Sequence, residues 1–332
     1  MINQIVAWKT SIKRLAFPGP FPCAICCGLV LLPLVLCAAT AAAAPQEQTL
    51  SWGGTERHYL IGLPSGYNAR KSCPLLLVFH GGGGNPGQVL KSSDIRERAE
   101  REGWILVAPA GSGRMGNLLT WNVGFGFGYA LTAKVDDVGF VRRLLDELQA
   151  TYRIDPDRIY ATGISNGGIL CHQLAGALSD RIAAIAPIVA SAGGRLQGAA
   201  DWIRPLPPRH PVAVVAFNGA LDLSIPLSGG LQQRSWAEPV EVWSARESVD
   251  FWVRANGCRP EPEVERNIAA RFERWRFAGG TGGSEVVQYV LLDQGHAWPG
   301  GERGYRRGDK PARLVSANAL MIEFFRQHPK KR

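Results

Sequence analysis

Cysteine is scarce where this chain would fold. Of seven cysteines, Cys23, Cys26, Cys27 and Cys37 lie before residue 44, leaving Cys73, Cys171 and Cys258 in the body. Three thiols allow one internal bridge at most, which excludes a disulfide framework as the source of stability. No Cys-x-x-Cys pair survives in the body, and no histidine stands at ligand spacing from these cysteines, so a zinc site has no support. Internal repeats, coiled-coil heptads and long low-complexity tracts are also missing, which excludes solenoids and fibrous assemblies.

Acidic residues are absent from the first 44 positions, which carry Lys9, Lys13 and Arg14 and then an apolar stretch from Ala24 to Ala44. A basic start, an apolar middle and a small-residue end predict a secretory signal over residues 1–44, cleaved near 39–45; an uncleaved anchor is the alternative. The body, 45–332, has the length of one large domain. Its formal charge falls from +9 to +6 once the three leader cations are gone, and the excess gathers at Glu302-Arg303-Gly304-Tyr305-Arg306-Arg307 and Pro329-Lys330-Lys331-Arg332. With no nucleic-acid motif beside it, this charge reads as solvated surface. The body is expected to be an exported monomer without nucleic-acid partners, and without stable membrane insertion once the leader is removed.

Short β-rich runs, 75–79, 104–108, 158–162, 184–189, 212–217 and 286–292, are mostly apolar on both faces, as strands of a parallel sheet covered on both sides would be. Segments 138–152, 168–178, 240–255 and 314–326 carry apolar residues at helical spacing. The alternation predicts an α/β fold, with reactive groups on loops at the carboxyl ends of the strands.

One such loop is Gly163-Ile164-Ser165-Asn166-Gly167, between the strand at 158–162 and the helix at 168–178. Glycines on either side permit a sharp reversal that places Ser165 at the apex, where the Asn166 N–H can face a developing oxyanion. A serine hydroxyl needs a histidine base and an orienting carboxylate. His172 follows too soon, His210 precedes its strand, and His328 lies in the basic tail, which leaves His296 in Asp293-Gln294-Gly295-His296-Ala297-Trp298. Asp222, just past the strand at 212–217, is the matching acid; its bland alternative is an Asx turn. A second oxyanion donor is expected from His80-Gly81-Gly82-Gly83-Gly84-Asn85, at Gly82 with Gly81 adjacent; no Lys-Ser/Thr follows, so this is no phosphate loop.

Asp136 and Asp137 precede an apolar run and read as helix caps. The aromatic, glycine-rich segment 121–129 forms either a core-packed loop or a cleft wall, and Trp121 is expected on the wall. Trp298, two residues past His296, is the other candidate substrate contact, a core indole being its alternative.

The glycine run at 80–85, Val135-Asp136-Asp137-Val138-Gly139-Phe140, Ile154-Asp155, Gly163-Ile164-Ser165-Asn166-Gly167-Gly168 and Gly295-His296-Ala297-Trp298-Pro299-Gly300-Gly301 together resemble the secreted polyhydroxybutyrate depolymerase and feruloyl esterase group, the family-one carbohydrate esterases. The resemblance runs from about residue 50 to 327 and implies an α/β-hydrolase without a large cap domain. It also implies a carboxylic-ester hydrolase needing neither metal nor organic cofactor, acting on hydroxyalkanoate or feruloyl-type esters. A serine peptidase of the same fold and a catalytically silent binding protein are the alternatives. Two departures stand out. The family's acid loop often reads His-Gly-x-x-Asp-x-x-Val-Pro-Tyr, where this chain has Asn218 and Leu227. Members also commonly pair the cysteine at the position of Cys258 with one in the strand before the histidine, a region that holds no cysteine here, so Cys258 is left free or paired with Cys73.

Overall fold

Alternate residues of the same strands feed two different cores. Leu75, Leu77 and Phe79 join one buried cluster with Ile105, Val107, Val214 and Ala216. Leu76, Val78, Leu106, Ala108, Val215 and Phe217 join the other. A strand buried on both faces needs cover on both, and the computed structural model supplies it over residues 44–234 and 239–331. These belong to one unit that spans Thr40–Arg332. The predicted leader lies, through residue 43, outside the described residues.

In chain order the elements are β1 (Gln46–Trp52), β2 (Thr55–Gly62), β3 (Cys73–Phe79), α1 (Pro86–Ser93), α2 (Ile95–Arg101), β4 (Ile105–Pro109), α3 (Tyr129–Thr132) and α4 (Asp137–Thr151). There follow β5 (Ile154–Ile164), α5 (Asn166–Ala177), β6 (Ala184–Ile188), β7 (Gly194–Leu196), β8 (Ala213–Gly219), β9 (Gly230–Leu231) and β10 (Val240–Val242). The chain ends with α6 (Ala245–Asn256), β11 (Glu263–Asn267), β12 (Phe272–Phe277), β13 (Val286–Leu291) and α7 (Ala317–Gln327).

Among the described residues, ten strands form one sheet in the order β1-β2-β4-β3-β5-β6-β8-β13-β12-β11, with β7, β10 and β9 in a small second sheet. The inner strands β4, β3, β5, β6, β8 and β13 run parallel. Antiparallel hairpins close both edges. The outermost strand β11 is blunted by charge: Glu263, Glu265 and Arg266 pair across it with Arg276, Arg274 and Glu273. Helices α4, α5 and α6 cover one face, with Leu144, Leu174 and Trp252 in its core. Helices α1, α2 and α7 cover the other, with Val89, Ile95 and Phe325. The architecture is the expected α/β one, with a mostly parallel sheet.

Several boundaries moved. The segment 240–255 does not form one helix. Val240 and Val242 are buried at strand spacing in β10, and Ser244 then starts α6 with a capping box closed by Glu247. Likewise α7 begins at Ala317, where the Ser316 hydroxyl accepts from the Ala319 N–H. Asp136 is the N-cap of α4, accepting from Gly139 N–H at 2.8 Å. Asp137 does other work: it is buried against Arg57 at 2.8 Å and takes the Asn122 N–H at 2.7 Å. All three body cysteines are free.

His172 in α5 is buried, and its Nδ1 accepts from the Trp252 indole N–H at 2.9 Å. Burial pushes its pKa down to about 3. The unfolded chain takes up this proton near pH ~6.5 and the folded chain does not, so the stability it carries is complete above that value and is lost as pH falls toward 3. The urea midpoint should therefore drop on acidification from about pH 7 to about pH 5. His172→Gln, which keeps an acceptor for Trp252 but does not titrate, should flatten that drop; an unchanged slope would contradict the assignment.

Candidate active site

Ser165 stands between the end of β5 and the start of α5 with φ 56° and ψ −123°. A non-glycine residue at such a φ has to be held. Its N–H donates to Ile188 O at 2.9 Å, and its carbonyl accepts from Ile169 N–H at 2.8 Å. The flanking glycines are a steric requirement. A Cβ on Gly163 would lie 2.7 Å from the Gly167 backbone and 2.8 Å from Phe79 O, and one on Gly167 would lie 2.4 Å from His80 O. The turn is thus wedged against the end of β3.

That wedge brings the glycine run to the serine. A Cβ on Gly81 would sit 3.5 Å from Ser165 Cβ, and one on Gly82 would sit 3.5 Å from Asn166 Cβ. The Asn166 N–H opens α5, where the helix dipole favours negative charge. Among the described residues, neither the Gly82 nor the Asn166 N–H has an acceptor. Two free amides beside a serine form the kind of pocket that receives an oxyanion.

The loop is held from below. His80 Nε2 accepts from Gly111 N–H at 3.0 Å, so its other nitrogen carries the proton and faces Gly81 O at 2.8 Å. Burial, assisted by Arg57 and opposed by the Gly81 carbonyl, pushes His80 down to about 4 and keeps it neutral. The Asn166 side chain accepts from Trp121 N–H at 2.7 Å and donates to Trp121 O at 3.1 Å, while the Trp121 indole N–H donates to His80 O at 2.9 Å.

Asp222 and His296 follow β8 and β13, at the same sheet edge as Ser165. Asp222 Oδ2 receives His296 Nδ1 at 2.7 Å, and both side chains are largely buried. Asp222 Oδ1 accepts the Ser224 and Ile225 N–H groups at 2.7 and 2.9 Å. The Asx turn and the histidine contact therefore coexist, one oxygen for each. A carboxylate can only accept, which puts the imidazole proton on Nδ1 and leaves Nε2 free as a base. No hydrogen bond joins the Ser165 hydroxyl to the imidazole among the described residues; such contacts tighten when substrate binds.

Both candidate tryptophan contacts are corrected. Trp121 is 0% exposed, packed edge-on against Phe79 and committed to His80 O, so it is a core indole and no cleft wall. Trp298 is 1% exposed and donates to Asn318 Oδ1 at 2.9 Å. In segment 121–129 the residue at the site is instead Phe127, half-buried, whose ring tip lies 2.7 Å from where a Gly82 Cβ would be. Asn218, the first departure in the acid loop, is buried in β8 and bonded to Ala190 O and Gln288. No group of three or more His, Cys, Asp or Glu side chains among the described residues is placed to hold a metal ion.

Sequence reading missed Asp309 and Arg234. Asp309 Oδ2 accepts the His296 main-chain N–H at 2.7 Å, and Arg234 reaches its other oxygen at 3.1 Å. Asp309 lies just past the run of arginines read as solvated surface, and nothing in its spacing marks it.

The sheet, the wedged turn and the three loops at one strand edge define an α/β-hydrolase fold. Solved structures agree: an acetyl xylan esterase from Aspergillus awamori superposes with a TM-score of 0.53 at 13% identity, over 76% of this chain and 94% of that one. A ferulic acid esterase from Anaeromyces mucronatus gives 0.54 at 13%, over 88% and 92%. No family model matches the chain. It is 31% identical to feruloyl esterase B of Piromyces equi over 75% of its own residues, spanning 44% of that relative's length. It is 26% identical to feruloyl esterase D of Neurospora crassa, over 79% of this chain and 86% of the relative. The chain is thus similar to these feruloyl esterases over about three quarters of its own residues, and the solved structures share its α/β-hydrolase fold.

The wedge makes a testable demand. Gly167→Ala forces a methyl group against the His80 and Phe79 carbonyls and should cost about 2–3 kcal/mol of stability by denaturant titration. A variant as stable as the parent would show that the turn is not held by this packing.

Proposed function

We propose that the chain is a serine carboxylic-ester hydrolase with Ser165 as nucleophile, His296 as base and Asp222 as orienting acid. The observation that carries the reading is the 2.7 Å contact between a buried aspartate and a histidine whose free nitrogen shares a sheet edge with a serine held at positive φ. In the reaction His296 Nε2 takes the Ser165 proton as the oxygen attacks the ester carbonyl. The Gly82 and Asn166 amides hold the oxyanion, and Asp222 stabilises the imidazolium that forms. His296 then gives its proton to the leaving alcohol. Water, activated by the same histidine, releases the acid from the acyl-enzyme and restores the serine.

The substrate class proposed is soluble hydroxycinnamoyl esters of the feruloyl type. The names of the relatives support an acyl group of this kind, and Phe127 places an aromatic ring beside the Gly82 amide. The leader pattern of residues 1–44 supports action outside the cytoplasm, and no helix among the described residues is long and apolar enough to cross a membrane.

Methyl ferulate, a soluble hydroxybutyrate oligomer and acetylated xylan, assayed side by side for released acid, test the substrate. The ferulate should turn over fastest, and preference for the hydroxybutyrate oligomer would move the assignment to hydroxyalkanoates. On any accepted ester, Ser165→Ala should lower kcat by about 10³-fold or more in a folded protein; a variant keeping a tenth of the activity would remove Ser165 from the nucleophile role. Phe127→Ala should raise KM for methyl ferulate by about tenfold and leave that for p-nitrophenyl acetate within about twofold, because only the aromatic acyl group loses a stacking face. Equal rises would show that the ring does not contact the acyl group.

A further inference from the structure

The histidine loop is gripped from outside the triad. Gln294 is fully buried; its amide donates to Ala297 O at 2.9 Å and accepts from Ala312 N–H at 2.9 Å, tying both ends of the loop to the segment that carries Asp309. Asp309 then takes the main-chain N–H of His296 itself at 2.7 Å. Room for this contact depends on the preceding residue being glycine, since a Cβ on Gly295 would lie 2.4 Å from Asp309 Oδ2. The second Asp309 oxygen receives Arg234 Nη1 at 3.1 Å. Arg234 is itself part of the acid loop's packing: its N–H and that of Gln233 both donate to Leu223 O, next to Asp222. The contacts close a ring from Asp222 through Leu223, Arg234, Asp309 and the His296 backbone to the imidazole, and so back to Asp222.

We propose that Asp309 is a positioning residue for hydrolysis: its carboxylate fixes the His296 backbone, with Arg234 bracing it from the acid loop, so that Nδ1 meets Asp222 and Nε2 is aimed at Ser165. This rests on the triad reading above. Asp309 touches no reacting atom. Its carboxyl is half-buried, which raises its pKa, but the His296 N–H and Arg234 outweigh burial and hold it below the usual carboxylate range. It is therefore a full-strength acceptor at neutral pH, and charge-assisted bonds of this kind are the strong ones. Gly295 explains the selectivity of the device: a side chain there would fill the space the carboxylate needs.

The test combines kinetics on p-nitrophenyl acetate with a readout that needs no turnover, the His296 Nδ1 proton shared with Asp222, resolved downfield in proton NMR. Asp309→Ala should lower kcat by about 30-fold or more with KM within about twofold, since misplacement of the base acts on the chemical step. Asp309→Asn keeps an oxygen for the His296 N–H and should recover kcat to within about fivefold of the parent. Gly295→Ala should imitate Asp309→Ala, and the double variant should be no worse than either single one, because both break the same contact. The bridging proton should be lost in Asp309→Ala and retained in Asp309→Asn and in Ser165→Ala. Parental kcat and an intact bridging proton in folded Asp309→Ala or Gly295→Ala would overturn the proposal, as would an Asn variant as impaired as the Ala variant. If the parent hydrolyses no ester while the bridging proton still depends on Asp309, the hydrolase reading fails and the positioning role stands.

Discussion

Holding a serine at φ 56° costs about 1–3 kcal/mol, and the close approach of Gly163 and Gly167 to the carbonyls of Phe79 and His80 makes that backbone possible. Two hydrogen bonds, from Ser165 N–H to Ile188 O and from Ile169 N–H to Ser165 O, fix it from the β6 and α5 sides. The strain extends one strand over: Val189, just past β6, has φ 43° although β-branched, and its N–H reaches Phe217 O at 2.7 Å. Because the elbow is wedged against the end of β3, the chain leaving β3 has to pass beside it. That segment is the glycine run, so the contact that bends the serine out also delivers the Gly82 amide next to the Asn166 amide.

Parallel strand order does the rest. β5, β6, β8 and β13 are consecutive neighbours, so the loops that leave them open on one edge. Asp222 and His296 reach each other because Ala220 and Leu221 N–H bond to the backbone of Leu291 and Gln294, pinning the acid loop to the histidine loop before any side chain contributes. Gly219 belongs to the same arrangement, since a Cβ there would lie 2.3 Å from Gln294 O. The hydrogen bond from His296 Nδ1 to the Asp222 carboxylate then has little conformational freedom left to lose, which is the condition under which such a contact is worth making.

The inner strands were legible because most of them are apolar on both faces, the pattern of a parallel sheet covered on both sides. The edge hairpins were not. Strands β11 and β12 are held by Glu–Arg pairs whose cross-strand partners cannot be known before the register is. The site divided along similar lines. Ser165 carries its own steric signature in two glycines, and His296 and Asp222 follow from elimination and strand position. Trp121 and Trp298 were misplaced because an indole beside a motif looks the same in sequence whether it faces the cleft or the core; their N–H groups were spoken for by His80 O and Asn318. Asp309 was invisible because its role is a backbone contact across a loop, and the arginines before it suggested only a wet surface.

Covalent capture tests the central claim most directly. The protein incubated with a phosphonylating or sulfonylating ester analogue and digested should carry one adduct, on the peptide that contains Ser165, formed rapidly in the parent and slowed by orders of magnitude in His296→Gln. An adduct on another residue, or one that forms on Ser165 equally fast without the imidazole, would contradict the account.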